Sequence, residues 1–77
     1  MNKQDFVTQL AEELEVEVDV TLETALEELD EWDSMGAMIL IGFVSDNFNI
    51  TLNADDIEVM TTFESIVERI GVENFEN

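Results

Sequence analysis

The sequence predicts an all-α fold: a small antiparallel four-helix bundle with three longer helices, a short third helix and a long loop between the first two. Three observations predict it. Apolar residues recur at helical spacing through residues 3–14, 34–48 and 63–70. Ten uncharged residues, Met35 to Val44, follow two good helix-capping residues, Asp33 and Ser34. The one alternating stretch, Val16, Val18 and Val20 against Glu15, Glu17 and Asp19, has no second strand to pair with, so it reads as an extended loop.

In residues 3–14, Phe6, Val7, Leu10, Ala11 and Leu14 form one stripe, and Asp5, Glu12 and Glu13 lie off it. Residues 15–33 form a connection that Val20, Leu22, Leu26 and Leu29 must anchor to the core, with a helical turn over 24–29. A connection of this length inside a small domain is usually functional. In residues 34–48, Ala37, Leu40, Ile41, Val44 and Phe48 are assigned to the core face. Met35, Ile39, Gly42 and Asp46 fall opposite, with Met38 and Phe43 at the flanks. Asn47 and Asn49 suit a left-handed helix end. Asn53 caps a short helix with Asp55 and Asp56 in its first turn and Ile57 and Met60 buried. Thr61 and Glu64 have capping-box spacing before Phe63, Ile66, Val67 and Ile70, and Gly71 ends that helix. Residues 72–77 read as a polar, frayed tail. Nothing divides the chain, so 1–77 is expected to be a single domain.

Composition excludes several function classes. The 77 residues hold no cysteine and no histidine, which removes thiolate and imidazole metal sites and histidine-activated nucleophiles. Twenty Asp and Glu face only Lys3 and Arg69, a net charge of −18. Such a surface repels nucleic acid and anionic membranes and steers basic partners toward it. No basic segment precedes an apolar run, and no apolar run has the length of a membrane span, so a cytoplasmic monomer is expected. An EF-hand loop begun at Asp46 fails, because Phe48 and Ile50 stand where oxygen ligands are required. Asp55, Asp56 and Glu58 can relieve charge by loose cation binding, but no specific metal site is expected.

Ser34 is the one reactive side chain at a sharp structural signal. It has no histidine or lysine base near it in the sequence, so it is no self-activated nucleophile and the chain is not expected to be an enzyme. Either Ser34 merely caps the helix or another enzyme acts on it. Trp32 reads as an anchor of the loop. Met35 and Ile39, opposite the core stripe, suggest an adaptable contact surface.

These residues resemble the acyl carrier proteins over nearly the whole chain. The likeness lies in the first helix, the long loop, Trp32-Asp33-Ser34-Met35, the second helix ending at Phe48, the short acidic third helix, and Thr61-Thr62-Phe63 opening the fourth. The resemblance implies that Ser34 carries a covalent 4′-phosphopantetheine, installed from coenzyme A by a magnesium-dependent holo-carrier synthase, a phosphopantetheinyl transferase. Asp33 and Met35 would flank the attachment point. The arm's thiol would carry acyl groups as thioesters between acyl-processing enzymes, placing the chain in lipid metabolism.

This chain departs from the carriers of fatty acid biosynthesis along its second helix. Gly36, Ile39, Gly42 and Ser45 stand where acidic or large residues are common, only Asp46 keeps its charge, and Met35 replaces leucine. Partner recognition is therefore assigned to Met35, Met38, Ile39, Gly42 and Asp46, in a carrier for a specialised lipid or polyketide-like pathway. The alternatives are a peptidyl or aminoacyl carrier, and an acidic interaction module or nucleic-acid mimic with Ser34 only as a cap.

Overall fold

A computed structural model describes residues 1–76. Four α-helices follow in order: α1 Lys3–Glu13, α2 Ser34–Phe48, α3 Ala54–Glu58 and α4 Phe63–Ile70. Short 3-10 turns lie at Leu26–Glu28 and Val72–Asn74. Among the described residues there is no strand, only an isolated bridge between Ala25 and Thr62. The fold is all-α, as the periodicity predicts.

Local chemistry sets the helix ends. Asn2 caps α1 by accepting the Asp5 N–H at 2.7 Å. At the other end Glu15 takes a left-handed φ of 61°, and the Val16 N–H returns to the Ala11 carbonyl at 3.0 Å. That is the reversed turn a glycine normally makes, here borne by a glutamate. Asn49, with φ 57°, ends α2 in the same conformation at no unusual cost, since asparagine tolerates it. Asn53 and Asp56 cap α3 reciprocally.

The cap of α4 stands one residue later than the spacing predicts. Thr62, not Thr61, is the N-cap, and its partner is Ser65, not Glu64. The Ser65 side chain can bond the N–H groups of both Thr61 and Thr62. Glu64 remains exposed.

The core gathers Phe6, Val7 and Leu10 of α1 and its C-cap Leu14 with Leu40, Val44, Leu52, Met60 and the apolar stripe of α4. Leu26 and Leu29 are buried, and Val20 and Leu22 pack against the core half-buried, so the long loop is anchored as expected. Backbone bonds hold it further. Leu26 donates to Thr61 at 2.8 Å, and Glu64 donates to Leu22 at 2.9 Å, which ties the loop to the entry of α4.

Three further assignments change. The core face of α2 centres on Gly36, Leu40 and Val44, while Ala37, Ile41 and Phe48 are only half-buried. By helical geometry this stripe is rotated about 50° from the predicted one. Asp56 is buried in α3, where Ile57 was expected to be the buried residue; Ile57 is half-buried. Finally, residues 72–76 are not frayed. Phe75 is 8% exposed and its ring lies 5.4 Å from Phe6 and 5.0 Å from Phe48, giving the tail an aromatic anchor. The last position, 77, lies outside the described residues.

Candidate functional site

The site is built where the long loop meets α2. Trp32 is half-buried against the core and holds the loop's last residues on the body of the protein. Asp33 is extended, and its carboxylate accepts the Gly36 N–H at 2.9 Å. Asp33 is therefore the N-cap, and Ser34 is the first residue inside the helix. Of the two capping residues the sequence offers, Asp33 takes the role and Ser34 does not. Ser34 is exposed, and among the described residues no hydrogen bond engages its hydroxyl. A free primary hydroxyl thus stands on the first turn of a 15-residue helix, beside unpaired backbone N–H groups that favour an anion.

An open cleft of about 400 Å³ lies beside it, lined by Leu14, Glu15, Glu31, Asp33, Met35 and Gly36 among others. A second cleft, of about 280 Å³, continues along α2 between Glu13 and Met38, Ile39, Gly42, Phe43 and Asp46. Glu13 and Ile39 belong to both. The predicted site residues Asp33, Met35, Met38, Ile39, Gly42 and Asp46 thus line a groove made of two adjoining clefts that meet at Glu13 and Ile39.

Within the groove the predicted strip divides. Met35 and Met38 are 70% and 71% exposed, and Gly42 has no atom near its side-chain position. Ile39 is half-buried and packs against the core, so it forms the groove's floor rather than a free contact. Met38, placed at a flank by the sequence, sits near the centre of the exposed face. The rotation of α2 explains both changes.

Sequence reasoning missed Gly36 and the carboxylates Glu13, Glu15 and Glu31. Gly36 is buried, and a side-chain carbon there would meet the Glu31 carbonyl oxygen at 2.6 Å. The available signal was a glycine in a helix's first turn, where propensity disfavours it without a close approach. The glutamates were hidden by number in so acidic a chain.

Among the described residues, no three Asp, Glu, His or Cys side chains gather as a metal-ligand set, and no helix is long and apolar enough to cross a membrane. Comparison with curated proteins and with solved structures returned no match. A sequence model of the phosphopantetheine attachment site family matches residues 4–70, a span that includes the long loop, Ser34, α2 to α4 and all of α1 but Lys3. The chain belongs to this family, the non-catalytic carrier proteins that bear a covalent 4′-phosphopantetheine, among them the acyl carrier proteins.

Proposed function

We propose that Ser34 is the attachment residue and that the protein is an acyl carrier for a specialised lipid or polyketide-like pathway. One observation carries the site: Ser34 is the exposed serine at the start of the central helix, and its hydroxyl is free because Asp33 takes the capping role. The residues fit the group. The hydroxyl is open to an incoming enzyme, and the helix start favours the phosphodiester charge. In the transfer, the Ser34 oxygen bonds to the phosphorus that bears the pantetheine. The bond from that phosphorus to 3′,5′-ADP breaks, and the serine proton leaves to a base on the transferase.

The carrier works as one monomeric domain, its helices packed as an antiparallel bundle, and it operates in the cytoplasm. Its partners are a phosphopantetheinyl transferase and acyl-processing enzymes. Met35, Met38 and Gly42, with Asp46 at the end of the strip, form the surface those partners read. The exposure of both methionines beside Ser34 supports this assignment.

The test is intact mass. Apo protein incubated with coenzyme A, magnesium and a broad-specificity phosphopantetheinyl transferase gains one phosphopantetheine, and Ser34→Ala gains none. An adduct on the alanine variant, or none on the wild type, overturns the assignment.

A further inference from the structure

Helix α2 contains two glycines, residues that helix propensity disfavours. They differ in surroundings. Gly42 has nothing within 4 Å of its side-chain position. At Gly36 a side-chain carbon would lie 2.6 Å from the Glu31 carbonyl oxygen and 3.4 Å from a Leu14 methyl. Only a residue without a side chain lets the loop backbone lie this close to the first turn.

The Glu31 carbonyl is not free to step aside. It accepts the Asp33 N–H at 3.1 Å, while the Trp32 N–H is held by Leu29 at 3.1 Å. Leu29 in turn donates to buried Leu26 at 3.0 Å. From the other side, the Asp33 carboxylate holds the Gly36 N–H at 2.9 Å. Glu31, Asp33 and Gly36 thus close a clamp, and Ser34 lies inside it.

We propose that Gly36 is a positioning residue for the modification of Ser34. It lets the loop seat against α2 so that Asp33 and the Ser34 hydroxyl are presented in one fixed arrangement. This inference rests on the reading of Ser34 as the attachment residue. A methyl group at position 36 displaces the Glu31 carbonyl, and through it Asp33 and the hydroxyl. The transferase must then restore the arrangement on binding, and small misplacements of a reacting group cost rate steeply. The loss falls chiefly on KM, because the chemistry of the hydroxyl is unchanged once it is seated.

The experiment compares wild type, Gly36→Ala, Gly42→Ala and a variant with one glycine inserted between Asp30 and Glu31. The insertion loosens the loop without adding an atom to the helix, and loops tolerate such lengthening. Loading from coenzyme A is followed by intact mass over a range of carrier concentrations. Trp32, the chain's one tryptophan, reports the loop by its emission. Gly42→Ala, on the proposed partner surface but with nothing crowding its side-chain position, keeps the wild-type Trp32 emission. Gly36→Ala and the insertion variant lose at least tenfold in kcat/KM, mainly through KM, with Trp32 emission shifted to the red. If Gly36→Ala does not fold, the insertion variant decides alone. A folded Gly36→Ala, or an insertion variant, that loads at the wild-type kcat/KM overturns the proposal and leaves Ser34's role standing. A wild type that takes no adduct overturns the reading of Ser34, and the proposal with it.

Discussion

Arg69 of α4 donates to the carboxylate of Asp56 in α3, and the same carboxylate accepts the Asn53 N–H at 3.0 Å. One of the chain's two basic side chains is therefore spent on joining its shortest helix to its last. Asp56 is the buried partner and Arg69 the half-exposed one. Asp56→Ala removes a cap and an ion pair together, whereas Arg69→Gln removes only the pair. The melting temperature falls further for Asp56→Ala, although that change also lowers the negative charge. An equal or smaller fall for Asp56→Ala would show that repulsion outweighs the cap.

Acid reveals the same carboxylate. The Asn53 N–H first, then the Arg69 guanidinium, hold Asp56 below its ordinary value of 3.8, against the opposing effect of burial. The terminal ammonium of Met1, bonded to Glu76 at 2.8 Å, likewise holds Glu76 below 4.5. The unfolded chain takes up these protons at the ordinary values and the folded chain only at lower pH. Their stabilisation is thus complete above those values and lost as pH falls through the depressed ones. Acidification from neutrality first reduces the charge of −18 and relieves repulsion. The melting temperature rises, then falls. Combining Asp56→Asn with Glu76→Gln flattens the falling limb; a limb superimposable on wild type would contradict this.

Repulsion among twenty carboxylates acts on a net stability of only several kcal/mol, and cations screen it. Millimolar magnesium or calcium raises the melting temperature more than sodium at equal ionic strength. Three identical melting curves would make the charge unimportant to stability.

Glu15 carries a left-handed backbone at the end of α1 and lines the groove beside Ser34. That conformation costs an ordinary residue about 1 kcal/mol or more relative to glycine. Glu15→Gly gains about 1 kcal/mol, reduced somewhat by the greater freedom of glycine in the unfolded chain. Glu13→Gln, which removes a charge and relieves no strain, is the control in urea unfolding at high salt. A gain at Glu13 as large as that at Glu15 would assign the effect to charge.

Neighbouring residues of α2 part company under the same substitution. Met38→Glu stays within about 0.5 kcal/mol of wild type, because the side chain is exposed. It slows loading or transfer by partner enzymes if the strip is the surface they read. Ile39→Glu costs about 1–3 kcal/mol, because it places a carboxylate against the core. Equal stability of the two variants in urea would refute the observed rotation of α2.

Much of this arrangement is legible in the residues. Asp33, Asn49 and Asn53 mark helix ends because each offers its own side chain or tolerance of a turn, a local property. The stripe of α1 is legible because charges flank it. The phase of α2 is not, because apolar residues surround nearly the whole helix and only its neighbours decide which are covered. Thr61 and Thr62 offer the same hydroxyl, and Ser65 rather than local spacing selects between them. The burial of Asp56 depends on Arg69, thirteen positions away, and that of Phe75 on a pocket formed by Phe6 and Phe48.

That pocket has a consequence for how the protein folds. Phe6 also stacks near Phe43, so one aromatic cluster draws on residue 6, on the end of α2 and on residue 75. Contacts so distant in sequence form only after the intervening chain is available. Before residue 75 docks, α1 and α2 can meet, but the end of their interface stays open to water. Ser34 opens a helix whose far end is sealed only when Phe75, the member of the cluster most distant from Phe6 in sequence, folds back onto Phe48.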